Sequence, residues 1–211
     1  MAMIKNLLFD FGGVIIPIEP MAFAREMTAM GCSDIAALHE HFLREEVYTR
    51  FEKGQMSPEE FRQMLRTGLD NHATDQQLDR AWNLILGEIP SHRVKFLEGL
   101  RSEYRIFLLS NTNKIHYDHY QEHFCKSYGY SSLDDLFEKA YYSFKIGLYK
   151  PDPAIFEYVL KDSALIPEET LFIDDYSTNI EAAKKLGFDV IHLSDGSEVG
   201  EAVISVLNPS V

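Results

Sequence analysis

Asp10 closes an apolar run, Leu7-Leu8-Phe9, and is followed by Phe11-Gly12-Gly13-Val14-Ile15. A carboxylate at the end of a buried strand costs on the order of several kcal/mol unless it is paired or binds metal. The glycines beyond it let backbone approach a ligand and leave N–H groups to hold an anion. Three further polar sets follow apolar runs or precede helical ones. Ser110-Asn111-Thr112 follows Phe107-Leu108-Leu109; Lys150-Pro151 precedes Asp152-Pro153; Asp174-Asp175 follows Leu171-Phe172-Ile173, with Asn179 a turn further on. Brought together, Asp10, Asp174 and Asp175 repel one another, and a hard divalent cation relieves that repulsion. Mg²⁺ suits one or two carboxylates completed by substrate phosphate and water. Ser110, Asn111 and Lys150 supply the donors and positive charge that a phosphate needs.

The elements that must position these groups read as an alternating pattern. Short apolar runs at 4–9, 105–109, 140–143, 171–173 and 189–193 have the character of buried strands. Between the later ones lie amphipathic helices. One carries Ile155, Phe156, Val159 and Leu160 behind an Asp152-Pro153 start; another spans 177–186 and closes at Gly187. Alternation of this kind predicts a doubly wound, Rossmann-like parallel sheet, in which ligands sit at the carboxyl ends of the strands. The interval 17–89 is different and shows no strand. Ser57-Pro58-Glu59-Glu60 is a capping box opening a helix with Phe61, Met64, Leu65 and Leu69 inward. Leu78, Ala81, Trp82, Ile85 and Leu86 form a second stripe, and 21–30 and 33–47 are helical in composition. The expectation is a core of residues 1–16 and 90–211, with a helical cap, 17–89, inserted after the first strand.

Composition narrows the partners. The chain has 211 residues, 45% of them apolar and 25% charged, as in globular proteins. A net charge of -13 argues against nucleic acid and anionic membranes as partners. It also means that a phosphorylated substrate needs local cations. Cys32 and Cys125 are too few for a disulfide scaffold or zinc site, which points to a reducing, cytoplasmic setting. The N-terminal apolar stretch is short and interrupted by Asp10, so it is not read as a signal peptide. No run reaches the roughly 20 apolar residues of a membrane helix. The expected partner is a small phosphorylated metabolite, and the expected state a monomer or homodimer.

With Asp10, Ser110-Asn111, Lys150-Pro151 and Asp174-Asp175 in order at strand ends, the whole chain resembles the haloacid dehalogenase superfamily of phosphatases. Phe9-Asp10-Phe11-Gly12-Gly13-Val14, Ser110-Asn111-Thr112-Asn113 and Phe51-Glu52-Lys53-Gly54-Gln55-Met56-Ser57 are similar to a bacterial branch that includes alpha-glucose-1-phosphate phosphatases. The resemblance implies that Asp10 is nucleophile and Mg²⁺ ligand, joined by the Gly12 carbonyl, Asp174 and Asp175. It implies that Ser110, Asn111 and Lys150, with the Gly12-Gly13 turn, hold the phosphoryl group. Gly12 departs from the superfamily, most of whose phosphatases carry a second aspartate there as general acid/base. Such a group is worth roughly 10²–10⁴-fold. An anomeric phosphate has a more acidic leaving group, so Gly12 fits a sugar 1-phosphate or another activated phosphate.

Two rival readings stay open on sequence alone. A carbon–halogen hydrolase also does without the second aspartate, but does not need Asp174-Asp175. A non-catalytic phosphate-binding protein would explain Gly12 but not the retained Asp10 and Lys150. A transfer of phosphate between sugar positions relies on the missing acid and is disfavoured. His116, His119 and His123 share a helical face, read as polar and solvated. Tyr141-Tyr142-Ser143-Phe144 reads as strand core and edge. Arg44, Glu45, Tyr48, Arg50 and Glu52 lie where a helical cap could face the site, most of them toward solvent.

Overall fold

The computed structural model describes residues 3–70, 72–193 and 196–208. Five strands, β1 (Asn6–Phe9), β2 (Arg105–Ser110), β3 (Lys139–Tyr142), β4 (Thr170–Asp174) and β5 (Asp189–His192), form a sheet in the order β3-β2-β1-β4-β5. Every neighbouring pair is parallel. Parallel strands need crossovers that cover both faces, so their apolar runs are continuous rather than alternating. Leu7, Phe9, Ile106, Leu108, Leu171 and Ile173 are buried on one face, and Leu8, Phe107, Leu109 and Phe172 on the other. The first face packs on α6 (Ser91–Leu100), α7 (Lys114–Tyr128) and α11 (Val199–Leu207), through residues such as Leu97, Phe124 and Val203. The second packs on α9 (Pro153–Asp162) and α10 (Ser177–Lys185), through Phe156, Val159 and Ile180.

The chain winds outward from β1 to β3, then returns to place β4 on the other side of β1. The crevice between β1 and β4 is therefore the topological switch point, where ligands collect in such sheets. Register fixes what borders it. Phe9 pairs with both Leu108 and Ile173, and the Asp10 N–H donates to the Ile173 carbonyl at 2.8 Å. Asp10 and Asp174 thus leave adjacent strands at the same level.

Among the described residues, five helices lie between β1 and α6: α1 (Pro20–Ala29), α2 (Ile35–Arg44), α3 (Val47–Glu52), α4 (Pro58–Arg66) and α5 (Asp75–Asn83). They share their own core, including Phe23, Met27, Phe42, Phe51, Phe61, Leu65 and Trp82, which Ile115 of α7 joins. The Ser57–Glu60 capping box forms as expected, with the Ser57 N–H donating to Glu60 at 2.7 Å. The helix expected over 33–47 instead ends at Arg44. Glu46 takes a left-handed φ of 52° and redirects the chain into α3. The stripe expected to continue through Ile85 and Leu86 stops as helix at Asn83. Ile85 and Gly87 bond to the outgoing strand of the insertion instead: Glu19 N–H to Ile85 carbonyl, and Gly87 N–H to Pro17 carbonyl. The two connections between inserted helices and sheet therefore run side by side.

Candidate active site

The site is built on a buried lysine. The short α8 (Ser143–Ile146) after β3 leads into a loop that carries Lys150 under the switch point. Its Nζ lies 2.8 Å from Asp10 Oδ1 and 2.7 Å from Asp174 Oδ2, with the side chain 1% exposed. Asn111 fixes the loop. Its amide donates to the Lys150 carbonyl at 2.9 Å and accepts from the Lys150 N–H at 3.0 Å. Asn111 therefore spends its amide on positioning Lys150. Ser143 ties the neighbouring turn, accepting from Thr112 N–H at 2.9 Å and donating to the Thr112 carbonyl at 3.0 Å.

Asp174 is fully buried and held from three sides. Besides Lys150, the Tyr176 N–H donates at 2.8 Å and the Asn179 amide at 3.0 Å. Its neighbour Asp175 lies against Gly13. A Cβ on Gly13 would fall 2.3 Å from Asp175 Oδ2, and the Gly13 φ of +73° is one that other residues rarely adopt. Gly12 is outside the left-handed region. A Cβ there would meet only Ile18 Cγ2, at an ordinary 3.5 Å. The two adjacent glycines thus have different reasons to be glycine: Gly13 admits the carboxylate, and nothing steric demands Gly12.

One oxygen each from Asp10, Asp174 and Asp175 lies within 4.8 Å of the others. Three hard oxygens at this separation fit a small divalent cation rather than a soft one. The charges confirm the strain of leaving them alone. Burial pushes Asp10 up to about 8, Lys150 opposes this, and Asp174 and Asp175 add to it. Burial works against the charge on Lys150, yet Asp10 and Asp174 outweigh it and hold the ammonium above its usual range.

Above these groups lies a cavity of about 350 Å³. Asp10, Gly12, Ser110, Asn111 and Lys150 line its floor. Gly13 and Asp175 line a neighbouring cleft instead, which shares Ile18 and Tyr176 with the cavity. The inserted helices supply the opposite lining: Glu52 from the end of α3, and Trp82 from α5. Of the residues singled out between 44 and 52, Glu52 is the one that reaches this cavity. Tyr48 is packed inside the helical layer, stacked on Trp82, and Arg44 and Glu45 pair on the surface.

His116 corrects the expectation of a solvated histidine face. It is buried, lines the cavity and stacks on Trp82 with ring centroids 4.8 Å apart. Its Nδ1 is 2.9 Å from Asn83 Oδ1, so it donates there and leaves Nε2 as an acceptor. Burial pushes its pKa down to about 3, so the ring is neutral. His119 and His123 turn away, into a separate cavity of about 610 Å³. Tyr149 and Tyr176 are lining residues that the sequence analysis did not single out, while Trp82 was read only as part of an apolar stripe and His116 only as solvated. For Tyr149, next to Lys150, and Tyr176, next to Asp175, the sequence held a positional signal.

Residues 4–187 match the haloacid dehalogenase-like hydrolase family. The chain is 34% identical over 206 residues to a D-ribitol-5-phosphate phosphatase of Bacteroides thetaiotaomicron, covering 98% of this chain and 100% of that one. Its fold is similar to a HAD family enzyme of the same organism, crystallised with magnesium and inorganic phosphate. That match has a TM-score of 0.84 at 35% identity and covers 92% of this chain and 96% of the other. A HAD-like family hydrolase of Porphyromonas gingivalis superposes with a TM-score of 0.86 at 37% identity, covering 98% and 99%.

Proposed function

The chain belongs to the haloacid dehalogenase-like hydrolases, and from that premise we propose that it is a Mg²⁺-dependent phosphatase of a small phosphorylated polyol or sugar. The observation that carries the reading is the buried Lys150 between Asp10 and Asp174, with Asp175 beside them, under a cavity sized for a metabolite. One ammonium among three carboxylates leaves the site net negative, so a dianionic group transferred onto Asp10 needs the added charge of a divalent cation. Carbon–halogen hydrolysis moves no such group and has no use for it.

In this reading Asp10 attacks phosphorus and carries the phosphoryl group as an aspartyl-phosphate, splitting one difficult step into two. Asp10, Asp174, Asp175 and the Gly12 carbonyl would hold Mg²⁺, which supplies Lewis-acid stabilisation of the charge on the phosphoryl oxygens. Lys150 holds Asp10 in place and faces the same oxygens. Ser110 and the Gly12-Gly13 turn complete the phosphate pocket, with Asn111 acting through the Lys150 loop. The helices of 17–89 act as a cap that closes the cavity over the leaving alcohol.

The relative's named substrate is a terminal phosphate on an open-chain polyol, which favours that class over the anomeric phosphate that Gly12 suggested. A cytoplasmic setting fits the two free cysteines. Among the described residues no helix is long and apolar enough to cross a membrane. The test is a screen of terminal polyol phosphates, sugar phosphates and sugar 1-phosphates, with Mg²⁺ and with chelator. The expected result is Mg²⁺-dependent release of phosphate, fastest from terminal polyol phosphates. Release independent of divalent metal, or none from any ester, would overturn the reading.

A further inference from the structure

A phosphatase that acts on a polyol phosphate must expel an alkoxide, a very poor leaving group unless it is protonated as the bond breaks. The floor of the cavity offers no acid for this. Asp10 is committed to the attack. Lys150 bridges two carboxylates that hold its proton tightly. Gly12 has no side chain. His116 is neutral, and its one ring proton is given to Asn83. Displacement in line with Asp10 places the departing oxygen on the far side of phosphorus, toward the inserted helices.

Among the described residues lining the cavity, the carboxyl groups are those of Asp10 and Glu52. We propose that Glu52, presented by the last residue of α3, is the general acid and base that Gly12 lacks. This rests on the phosphatase reading above. Its position suits that role, because α3 packs against α8, which brings Glu52 to the loop that carries Lys150. Among the described residues, the titratable groups that influence it from the same cavity are the Tyr149 hydroxyl, the Lys150 ammonium and the Tyr176 phenol. Burial pushes its carboxyl up to about 7, with Tyr149 and Lys150 opposing. A group so poised gives and takes a proton near neutrality.

Atoms and protons balance over two steps. As Asp10 bonds to phosphorus, the bond from phosphorus to the alcohol oxygen breaks, and the Glu52 proton passes to that oxygen. The Glu52 carboxylate then takes a proton from water. The hydroxide oxygen bonds to phosphorus, the Asp10–phosphorus bond breaks with its electron pair returning to Asp10, and phosphate leaves with Glu52 protonated again.

The experiment compares p-nitrophenyl phosphate, whose leaving group needs no proton, with D-ribitol 5-phosphate or glycerol 3-phosphate, whichever the parent hydrolyses faster. Glu52→Gln keeps the size and hydrogen-bonding capacity of the side chain. It is expected to lose about 10²–10⁴-fold on the alkyl ester. With p-nitrophenyl phosphate it should release one equivalent of nitrophenol in a rapid burst and then slow, because phosphorylated Asp10 accumulates without its base. Equal loss on both esters with no burst, or no loss, would overturn the role of Glu52 and leave the phosphatase reading standing. A parent that turns over neither ester would overturn that reading instead. A parent that hydrolyses only the activated ester would show that no acid is at work. Tyr149→Phe gives a second route that does not depend on the folding of Glu52→Gln. Removing its hydroxyl, which holds the Glu52 pKa down, should move the alkaline limb of kcat/KM to higher pH for the alkyl ester alone. A limb that stays in place, or moves for both esters, would count against Glu52.

Discussion

The two walls of the cavity are made of different materials. The sheet wall is charged and cross-linked: Lys150, Asp10 and Asp174 are buried and ion-paired, and strand register sets the two aspartates at one level. The helical wall is mostly apolar and aromatic, with Trp82, Ile85 and one carboxyl, Glu52, facing inward. Their attachments differ too. The sheet wall hangs from backbone hydrogen bonds between strands. The helical wall meets it through side chains, such as Trp82 Nε1 to Asn113 Oδ1 at 3.4 Å and His116 Nδ1 to Asn83 Oδ1 at 2.9 Å. On the proposed reading, what is common to every phosphate ester is handled by the sheet wall. What differs between esters, the alcohol and its proton, would then fall to the helical wall.

The most damaging change belongs to the sheet wall. Asp10→Asn keeps shape but removes the attacking charge, and turnover should fall by at least about 10⁴-fold. Stopped assays with the best ester of the screen check this; comparable turnover by the variant would place the nucleophile elsewhere.

Lys150→Met leaves two buried carboxylates facing each other without their cation. Breaking a buried pair from one side costs about 3–5 kcal/mol, and denaturant melts without metal should show a loss of that size. A change within experimental scatter would mean that the carboxylates are not held by Lys150 in solution.

Moving the acid from one wall to the other sharpens the contrast. Because Gly12 is not left-handed and has room for a Cβ, Gly12→Asp should fold. Placed in the Glu52→Gln background, it should recover roughly 10–10²-fold of alkyl-ester turnover. A folded double variant with no recovery would show that the leaving oxygen is out of reach of the sheet wall.

The neighbouring glycines give a smaller, purely steric comparison. Gly13→Ala must place a methyl against Asp175 in a left-handed backbone, at about 1–3 kcal/mol, and should weaken Mg²⁺ binding measured calorimetrically. Gly12→Ala should cost under about 1 kcal/mol. Equal effects would remove the distinction.

A pH dependence is carried by the helical wall. Burial pushes the Glu52 carboxyl up to about 7 from an ordinary 4.5. For an acid whose pKa rises on folding, the favourable contribution is complete below the unfolded value. It is lost as pH climbs toward the folded one. Thermal stability of the parent should therefore decline more steeply between about pH 4.5 and 7 than that of Glu52→Gln. Parallel curves would mean that Glu52 titrates normally.

Much of the sheet wall was legible in the residue order. Strand runs such as Leu171-Phe172-Ile173 are apolar on both faces because parallel strands are covered on both. The polar sets that end them follow at once because ligands gather at those ends. The capping box at Ser57–Glu60 is equally local. These features depend on a residue and its near neighbours, so order alone determined them. It also determined that Asp10, Asp174 and Asp175 fall at strand ends, whereas Lys150, expected at one too, comes to them on a loop beyond α8. The helical wall was not legible in the same way. Which of Arg44, Glu45, Tyr48, Arg50 and Glu52 faces the cavity depends on the turn at Glu46 and on α3 meeting α8. The burial of His116 depends on Trp82, which lies in another helix. Gly12 and Gly13 look alike in sequence, and only the approach of Asp175 separates them. Contacts between distant elements set these outcomes, because burial and proton affinity depend on everything that surrounds a group, whatever its distance along the chain.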